Sequence, residues 1–372
     1  MIEVEITADE RLLRDTAAKF VEAEYPLQTV RQLVGTTSGI PDGYLRQIGD
    51  LGWLGLLVPD DGEGGIGESG ITYAAIIAEE RGRGVQPGPF VATNVVIAAI
   101  GRSGSAQQRA EILPALVSGE QSASWAVTDL SGVFAPSTSV RCRAVGGGYV
   151  LFGEAIVQDG DSVDWLLVTA GSDAGLSQFL VPRNAATEVA PRESHDVTLR
   201  FSTVTFEDVE VDASCLVGPV GGGADDVEQQ LQLAALLVAA ETVGAMSALF
   251  EMARQYALDR FAFGRPIGSF QSLKHQLADM SLSLEAARAV TANAVEALEA
   301  GSPDAGEVTS IAKAWTGDVG IDLAQGCLQV FGGIGYTWEH DCHLYLRRIT
   351  MNGLLYGAPD WHRERICQIH GL

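Results

Sequence analysis

Leu231-Gln-Leu-Ala-Ala-Leu-Leu-Val-Ala-Ala-Glu-Thr-Val-Gly244 is a run of apolar and small residues with no proline and no glycine before Gly244. Continued through Leu249, Phe250 and Met252, it reads as one long helix buried around most of its circumference. Arg260-Phe-Ala-Phe-Gly-Arg-Pro-Ile-Gly268 follows, and a second helix opens near Phe270. Two long helices joined by a compact Arg/Gly/Pro turn make a rigid corner, able to hold an anionic or aromatic ligand at a fixed place.

The rest of the chain bounds what that corner serves. At 372 residues there is length for two or three domains, each with a core. The formal charge of −24 argues against nucleic acid and against an anionic membrane surface as partner. An anionic ligand must then be gripped by local arginines against an unfavourable mean field. The five cysteines, at 142, 215, 327, 342 and 367, form no C-x-x-C spacing, which predicts a reduced, cytoplasmic setting and no zinc site. Met1 to Ile6 lacks the pattern of a signal peptide, and no uninterrupted run of about 18 apolar residues predicts membrane insertion.

Upstream, Thr7 with Asp9 and Glu10 predicts a capped helix running to Glu24, Pro41 and Asp42 open another through Leu51, and Thr72 to Glu80 resumes helical periodicity. Between them Gly52-Trp-Leu-Gly-Leu-Leu-Val-Pro59 leads into a glycine and acid loop, Asp60 to Gly67; Pro87 to Pro89 form a stiff bend, and a last helical stretch runs from Gln107 to Leu116. After Gly119 the texture turns to short segments separated by Gly/Asp/Ser turns: Ala123 to Thr128, Arg141 to Arg143, Gly148 to Phe152, Asp164 to Ala170, Leu176 to Pro182 and Thr198 to Glu207. The expected organisation is α+β in segregated blocks: an N-terminal helical domain over 1–118, a middle β-domain over 119–222 and a C-terminal helical bundle over 223–372.

The pattern Arg260-x-x-Phe263-Gly264-x-x-Ile267-x-x-Phe270-Gln271-x-x-x-His275-x-x-Ala278-Asp279-Met280 resembles the flavin-binding corner of the acyl-CoA dehydrogenase family. So does Gln329-Val-Phe-Gly-Gly-Ile-Gly-Tyr336, and the Gly52 to Pro59 segment and Val204-x-Phe206-Glu-Asp-Val209 agree in order and spacing. The resemblance covers nearly the whole chain. It implies the acyl-CoA dehydrogenase fold with a β-barrel-like middle domain and a C-terminal four-helix bundle, assembled as a dimer or tetramer. It also implies FAD bound between domains and across a subunit interface, an acyl-CoA substrate oxidised at its α,β bond, and an electron-transferring flavoprotein that reoxidises the flavin. By resemblance, Arg260, Phe263 and Gln271 meet FAD from one subunit, and Gln329, Gly332 and Gly333 meet it from the neighbour. The residue types suit this: arginine offers planar charged donors to a pyrophosphate, and glycines let a phosphate approach backbone N–H groups. The bland readings are a helix-end arginine, a core phenylalanine, ordinary polar residues at 271 and 275, and a simple loop.

The departures from the family pattern fall at the chemistry. The glutamate that removes the substrate's α proton usually precedes a glycine some twenty residues after the Gly-Gly-x-Gly-Tyr motif, and Tyr356 stands at that position before Gly357. A smaller set of members places it where Ala234 stands. A phenol is a poor general base at neutral pH and an alanine is none. The flanking aspartate and arginine that contact substrate and CoA are replaced by Gln232 and Ala235, and Thr128-Asp-Leu-Ser-Gly132 and Gly160-Asp-Ser-Val-Asp164 depart from the usual flavin-contacting runs, although Trp125, Thr128 and Trp165 lie nearby.

Glu241, seven residues beyond Ala234 on the same helical face and about 10.5 Å further along the axis, is the first substitute base. In so apolar a run its carboxylate needs a dedicated partner or an unusual hold on its proton, and the competing reading is a buried ion pair. Asp360 is the second candidate, with a helix cap or surface acid as its alternative; His340, His343 and His362 have no strong metal spacing. Some bacterial members of the family are heteromers in which one chain has lost the base and a related chain supplies it, often for bulky thioesters such as steroid side chains. The expected function is therefore a subunit of an acyl-CoA dehydrogenase working with a paralogous chain. The alternatives are a self-sufficient enzyme using Glu241, a non-catalytic structural or regulatory paralogue, and an oxidase or monooxygenase of the same fold.

Overall fold

The computed structural model describes residues 7–36, 39–59, 69–134, 136 and 139–372; Met1 to Ile6 and the loop from Asp60 to Gly67 lie outside them. The first block is helical: α1 Ala8–Glu24, α2 Leu27–Leu33, α3 Tyr44–Asp50, α4 Gly70–Arg83, α5 Phe90–Ser103, α6 Ala106–Glu111 and α7 Leu113–Val117. Thr7 caps α1 as its sequence predicts: its hydroxyl accepts the Glu10 N–H at 3.2 Å while the Glu10 carboxylate accepts the Thr7 N–H at 3.0 Å. The sequence reading gave no helix between Pro89 and Gln107, yet α5 fills that gap. Its residues are apolar nearly all round, so they lack the polar face that marks a surface helix, and Phe90 to Ile97 are all buried.

The second block is one mainly antiparallel sheet. Its strands are β1 Ala123–Ala126, β2 Val140–Val145, β3 Gly148–Gln158, β4 Trp165–Ser172, β5 Gly175–Pro182, β6 Glu188–Arg192, β7 Phe201–Val211 and β8 Leu216–Val217, in the order β6-β7-β3-β2-β4-β5-β8. Strand β1 joins from outside this path and runs parallel to β4, with Trp125 opposite Leu167. All four of its residues are buried, because its other side lies on α5. The Thr93 hydroxyl bridges to it, donating to Ala123 O at 2.8 Å and accepting from Ala123 N at 3.3 Å.

The third block is helical again: α8 Ala224–Asp259, α9 Gln271–Glu299, α10 Ala305–Phe331, α11 Cys342–Leu354 and α12 Pro359–Ile369. Helix α8 is the long helix the opening stretch predicts, 36 residues and buried without a break from Leu233 to Ser247. It is the one described helix long and apolar enough by composition to cross a membrane, but 89% of that apolar window is buried inside the protein, as in a core helix. Helices α4 and α8 approach until only glycine fits: a Cβ on Gly82 would stand 1.9 Å from Glu241 O, and one on Gly244 1.9 Å from Glu79 O. The Arg/Gly/Pro corner between α8 and α9 is a β-hairpin, with β9 Phe261–Ala262 paired to β10 Arg265–Pro266 around Phe263 (φ 51°) and Gly264 (φ 78°). Positive φ at both turn residues is the geometry a two-residue hairpin loop favours.

Candidate functional site

Tyr356, at the usual base position, sits in the turn between α11 and α12 with φ 54°, followed by Gly357 at φ 106°. A Cβ at 357 would come within 2.7 Å of both Trp361 and His362, so the turn admits glycine alone there. The Tyr356 ring stacks on Trp125, centroids 6.1 Å apart and planes 21° apart. Trp125 meets Phe134 edge-on at 5.7 Å, and Phe134 meets Trp361 at 5.6 Å. Ala234, the second base position, lies fully buried in the same apolar cluster. Trp125 is pinned by its indole N–H donating to Thr169 Oγ1 at 2.8 Å; Gln178 donates to the same hydroxyl at 3.0 Å and exchanges amide bonds with Gln230 at the start of α8. Burial pushes the Tyr356 phenol well above its ordinary pKa of 10, with the Glu241 charge adding to it, so it is no base at neutral pH. Four of the chain's own rings thus gather at the position where the family pattern puts the carboxylate.

Glu241 has the dedicated partner that its apolar setting calls for. Its carboxylate accepts from Arg348 Nη1 at 2.6 Å, and the same guanidinium donates to Asp196 at 2.7 Å, Gln86 O at 2.9 Å and Thr198 Oγ1 at 2.6 Å. The Arg348 side chain is 0% exposed. One guanidinium thus ties α8, α11, the loop before β7 and the loop before α5 together. The cavity beside Glu241, bounded by Val91, Val238 and Leu355, has about 10 Å³, room for one water at most. Asp360 is exposed in the first turn of α12 and pairs with Arg363 at 2.7 Å. The histidines disperse: His340 packs on Phe331, His343 on Trp338, and His362 under Tyr356. Among the described residues no three His, Cys, Asp or Glu side chains gather as a metal site.

The flavin-corner residues lie elsewhere, at the far end of the bundle. Phe263 is 95% exposed at the hairpin tip, edge-on to Phe270 at 6.2 Å, while the Arg265 guanidinium lies 4.1 Å over Phe270. Arg260 is exposed at the end of α8, and Gln271 with His275 is exposed on the first turns of α9. Gln329 is exposed in the last turn of α10, and a Cβ added at Gly332 or Gly333 would meet nothing within 4 Å. Tyr256 and Phe331, ring centroids 5.4 Å apart, hold the two motifs together. Both motifs are thus exposed on one chain, the first at the end of α8 and start of α9 and the second at the end of α10. The chemistry there, an exposed guanidinium, an exposed ring and unshielded glycine backbone, fits the pyrophosphate and adenine end of FAD.

The β-domain end does not fit the flavin ring in the same way. Trp125 is buried in the aromatic stack, Thr128 is bridged to Phe134 and Ile156, and the Trp165 indole donates to Gln121 at 2.8 Å. A cleft of about 820 Å³ opens at the start of α8 over Leu56, Leu233 and Leu298; Asp225, Asp226, Glu228 and Glu299 line it beside the one arginine Arg102, an acidic balance that disfavours CoA phosphates. Sequence reading missed Arg348, Asp196, Phe134, Trp361 and Lys313. The lone Lys313 inside the apolar opening of α10 was the one legible signal.

Residues 7–120 match the acyl-CoA dehydrogenase N-terminal domain and residues 221–369 the acyl-CoA dehydrogenase C-terminal domain. The acyl-CoA dehydrogenase IpdE2 of Mycobacterium tuberculosis is 30% identical over 352 residues, 94% of each chain. Among solved structures, a glutaryl-coenzyme A dehydrogenase in complex with glutaryl-CoA superposes with a TM-score of 0.91 over 99% of this chain and 97% of its own, at 23% identity. A variant of the Tcur3481–Tcur3483 steroid ACAD gives 0.87 over 98% of each chain, at 25% identity.

Proposed function

The chain belongs to the acyl-CoA dehydrogenase family of FAD-dependent oxidoreductases, and from that membership we propose that it works as the base-deficient subunit of a heteromeric acyl-CoA dehydrogenase. The observation that carries this reading is the Trp125–Tyr356 stack, extended by Phe134 and Trp361, at the usual base position. The related chain supplies the glutamate and receives the acyl-CoA. This chain would supply Arg260, Phe263, Gln271, Gln329, Gly332 and Gly333 to hold an FAD shared with its partner, and that FAD, when bound, would supply the hydride acceptor for the dehydrogenation. Glu241 then serves as the anchor of Arg348, not as the base.

The pairing in the Tcur3481–Tcur3483 steroid ACAD supports a two-chain assembly and a bulky or steroid side-chain acyl-CoA as substrate. An electron-transferring flavoprotein reoxidises the complex, and the setting is the cytoplasm. The test is to purify the chain alone and together with a related chain from the same genome. The expected result is a yellow complex active in dye-coupled oxidation and a lone chain without turnover. Robust turnover by the lone chain would sink the reading, and a colourless complex would favour the structural paralogue.

A further inference from the structure

Three main-chain carbonyls of the turn that carries Tyr356 are held by two basic side chains that lie outside it. Lys313, on α10, donates from Nζ to Gly353 O at 3.0 Å and to Gly357 O at 2.9 Å. It is 1% exposed and forms no ion pair among the described residues. His362, on α12, places Nε2 at 3.1 Å from Tyr356 O, and its buried Nδ1 has no hydrogen-bond partner. A carbonyl can only accept, so Nε2 carries the proton and Nδ1 is bare. Tyr356 itself holds a left-handed backbone, which strains a residue with a side chain and persists only where the surroundings over-determine it. Two basic groups, a glycine with no room for a Cβ and a stacked ring do that here.

We propose that Lys313 and His362 are positioning residues that lock the 353–357 turn and so fix the side chain at 356, the usual base position of the family pattern, here the Tyr356 ring over Trp125. The inference rests on the proposed function only in treating 356 as the reacting position; the lock itself needs no flavin. Its chemistry makes it sensitive to protons. A neutral amine has two N–H groups for two carbonyls, whereas an ammonium adds a third with no acceptor in an apolar surrounding. Burial draws Lys313 down to about 7, and burial together with the neighbouring Lys313 draws His362 to about 3, so acidification from alkaline to mildly acidic pH charges the lysine and leaves the histidine neutral. The other titratable groups on the facing elements are Arg365 on α12, the Tyr356 phenol, and Glu241 on α8, which is committed to Arg348. None of them supplies a free carboxylate to compensate the new charge.

Hydrogen exchange of the full chain, with any co-purifying partner present, tests this at about pH 6 and about pH 8.5 with exposure times scaled for the intrinsic rate. In the wild type, peptides over 353–358 should exchange about tenfold faster at the lower pH, with those of α8 unchanged. Lys313→Met should exchange fast at both pH values, and His362→Phe should exchange faster while keeping the pH dependence. Protection of 353–358 in His362→Phe equal to that of the wild type overturns the lock, and this holds even where the Met variant fails to fold. A uniform loosening of the whole bundle in Lys313→Met overturns it too, since that is what a merely structural lysine would give.

Discussion

Arg348 is the residue on which the joint between the three blocks turns, since its guanidinium satisfies two carboxylates, a hydroxyl and a carbonyl with no access to water. Removing one partner of such a buried set leaves uncompensated charge, which costs about 3 to 5 kcal/mol, a large part of a domain's stability. Arg348→Met should therefore lower the unfolding free energy from urea titrations by that amount, whereas Arg363→Met, on exposed pairs, should cost less than about 1 kcal/mol. Asp159 is the opposite case, a buried acid with Oδ2 unpartnered. Burial raises it to about 7 from its ordinary 3.8, the Arg200 charge opposing, so the folded chain holds a proton that the unfolded chain has released between those values. Stability from this group is present below pH 3.8 and is lost as pH rises through 7. Asp159→Asn, which tolerates φ 50°, should thus raise the melting temperature above neutrality and change it little near the acid end; an equal shift at both would contradict the buried charge. At this scale the sequence was legible for identities and not for partners. Glu241 stood out as a carboxylate in an apolar run, but its arginine is 107 residues away, beyond the reach of any periodicity.

The elements obey a different arithmetic, in which propensity and packing oppose each other at the glycines. Replacing a mid-helix glycine by alanine is worth about 1 kcal/mol in favour of the helix. At Gly244 the new methyl would lie 1.9 Å from Glu79 O on α4, a backbone atom that cannot rotate away. Overpacking of that kind costs about 1 to 3 kcal/mol even where side chains can adjust, so packing wins. Gly244→Ala should destabilise, with Gly301→Ala as a surface comparison that meets nothing within 4 Å but is strained at φ 59°. An unchanged urea midpoint for Gly244→Ala would mean α4 and α8 are not in register. The long helices, the capped start of α1 and most strands were readable because periodicity and turn residues act locally. The sequence reading passed over α5 and β6, and for a common reason. Helix α5 is apolar on every side, while β6, Glu188–Arg192, is a short edge strand that carries a proline; neither displays its element's usual alternation.

For the whole molecule, the two ends of the candidate flavin site behave oppositely, and that asymmetry sets a number that can be measured. The bundle end is open, with Phe263 95% exposed and Gly332 and Gly333 unshielded, while the catalytic end is filled by Trp125, Tyr356, Phe134 and Trp361. The sequence showed Tyr356 and Ala234 at the two usual base positions, but it could not show that rings gather there, because Phe134 and Trp361 meet only through the fold. A chain that can lend a grip but not house the ring should halve the flavin content of its complex, giving one FAD for each pair of unlike chains. Arg260→Ala should then lower flavin occupancy of the complex, since each hydrogen bond to a charged group contributes about 1.5 to 3 kcal/mol, roughly ten- to a hundredfold in affinity. The matching arginine on the partner chain should matter far less, because the site it would reach is the filled one. Flavin absorbance against protein concentration in the purified complex and both variants decides the matter. One flavin per chain, or equal losses from both arginines, would mean that the aromatic cluster opens and that this chain houses a flavin of its own.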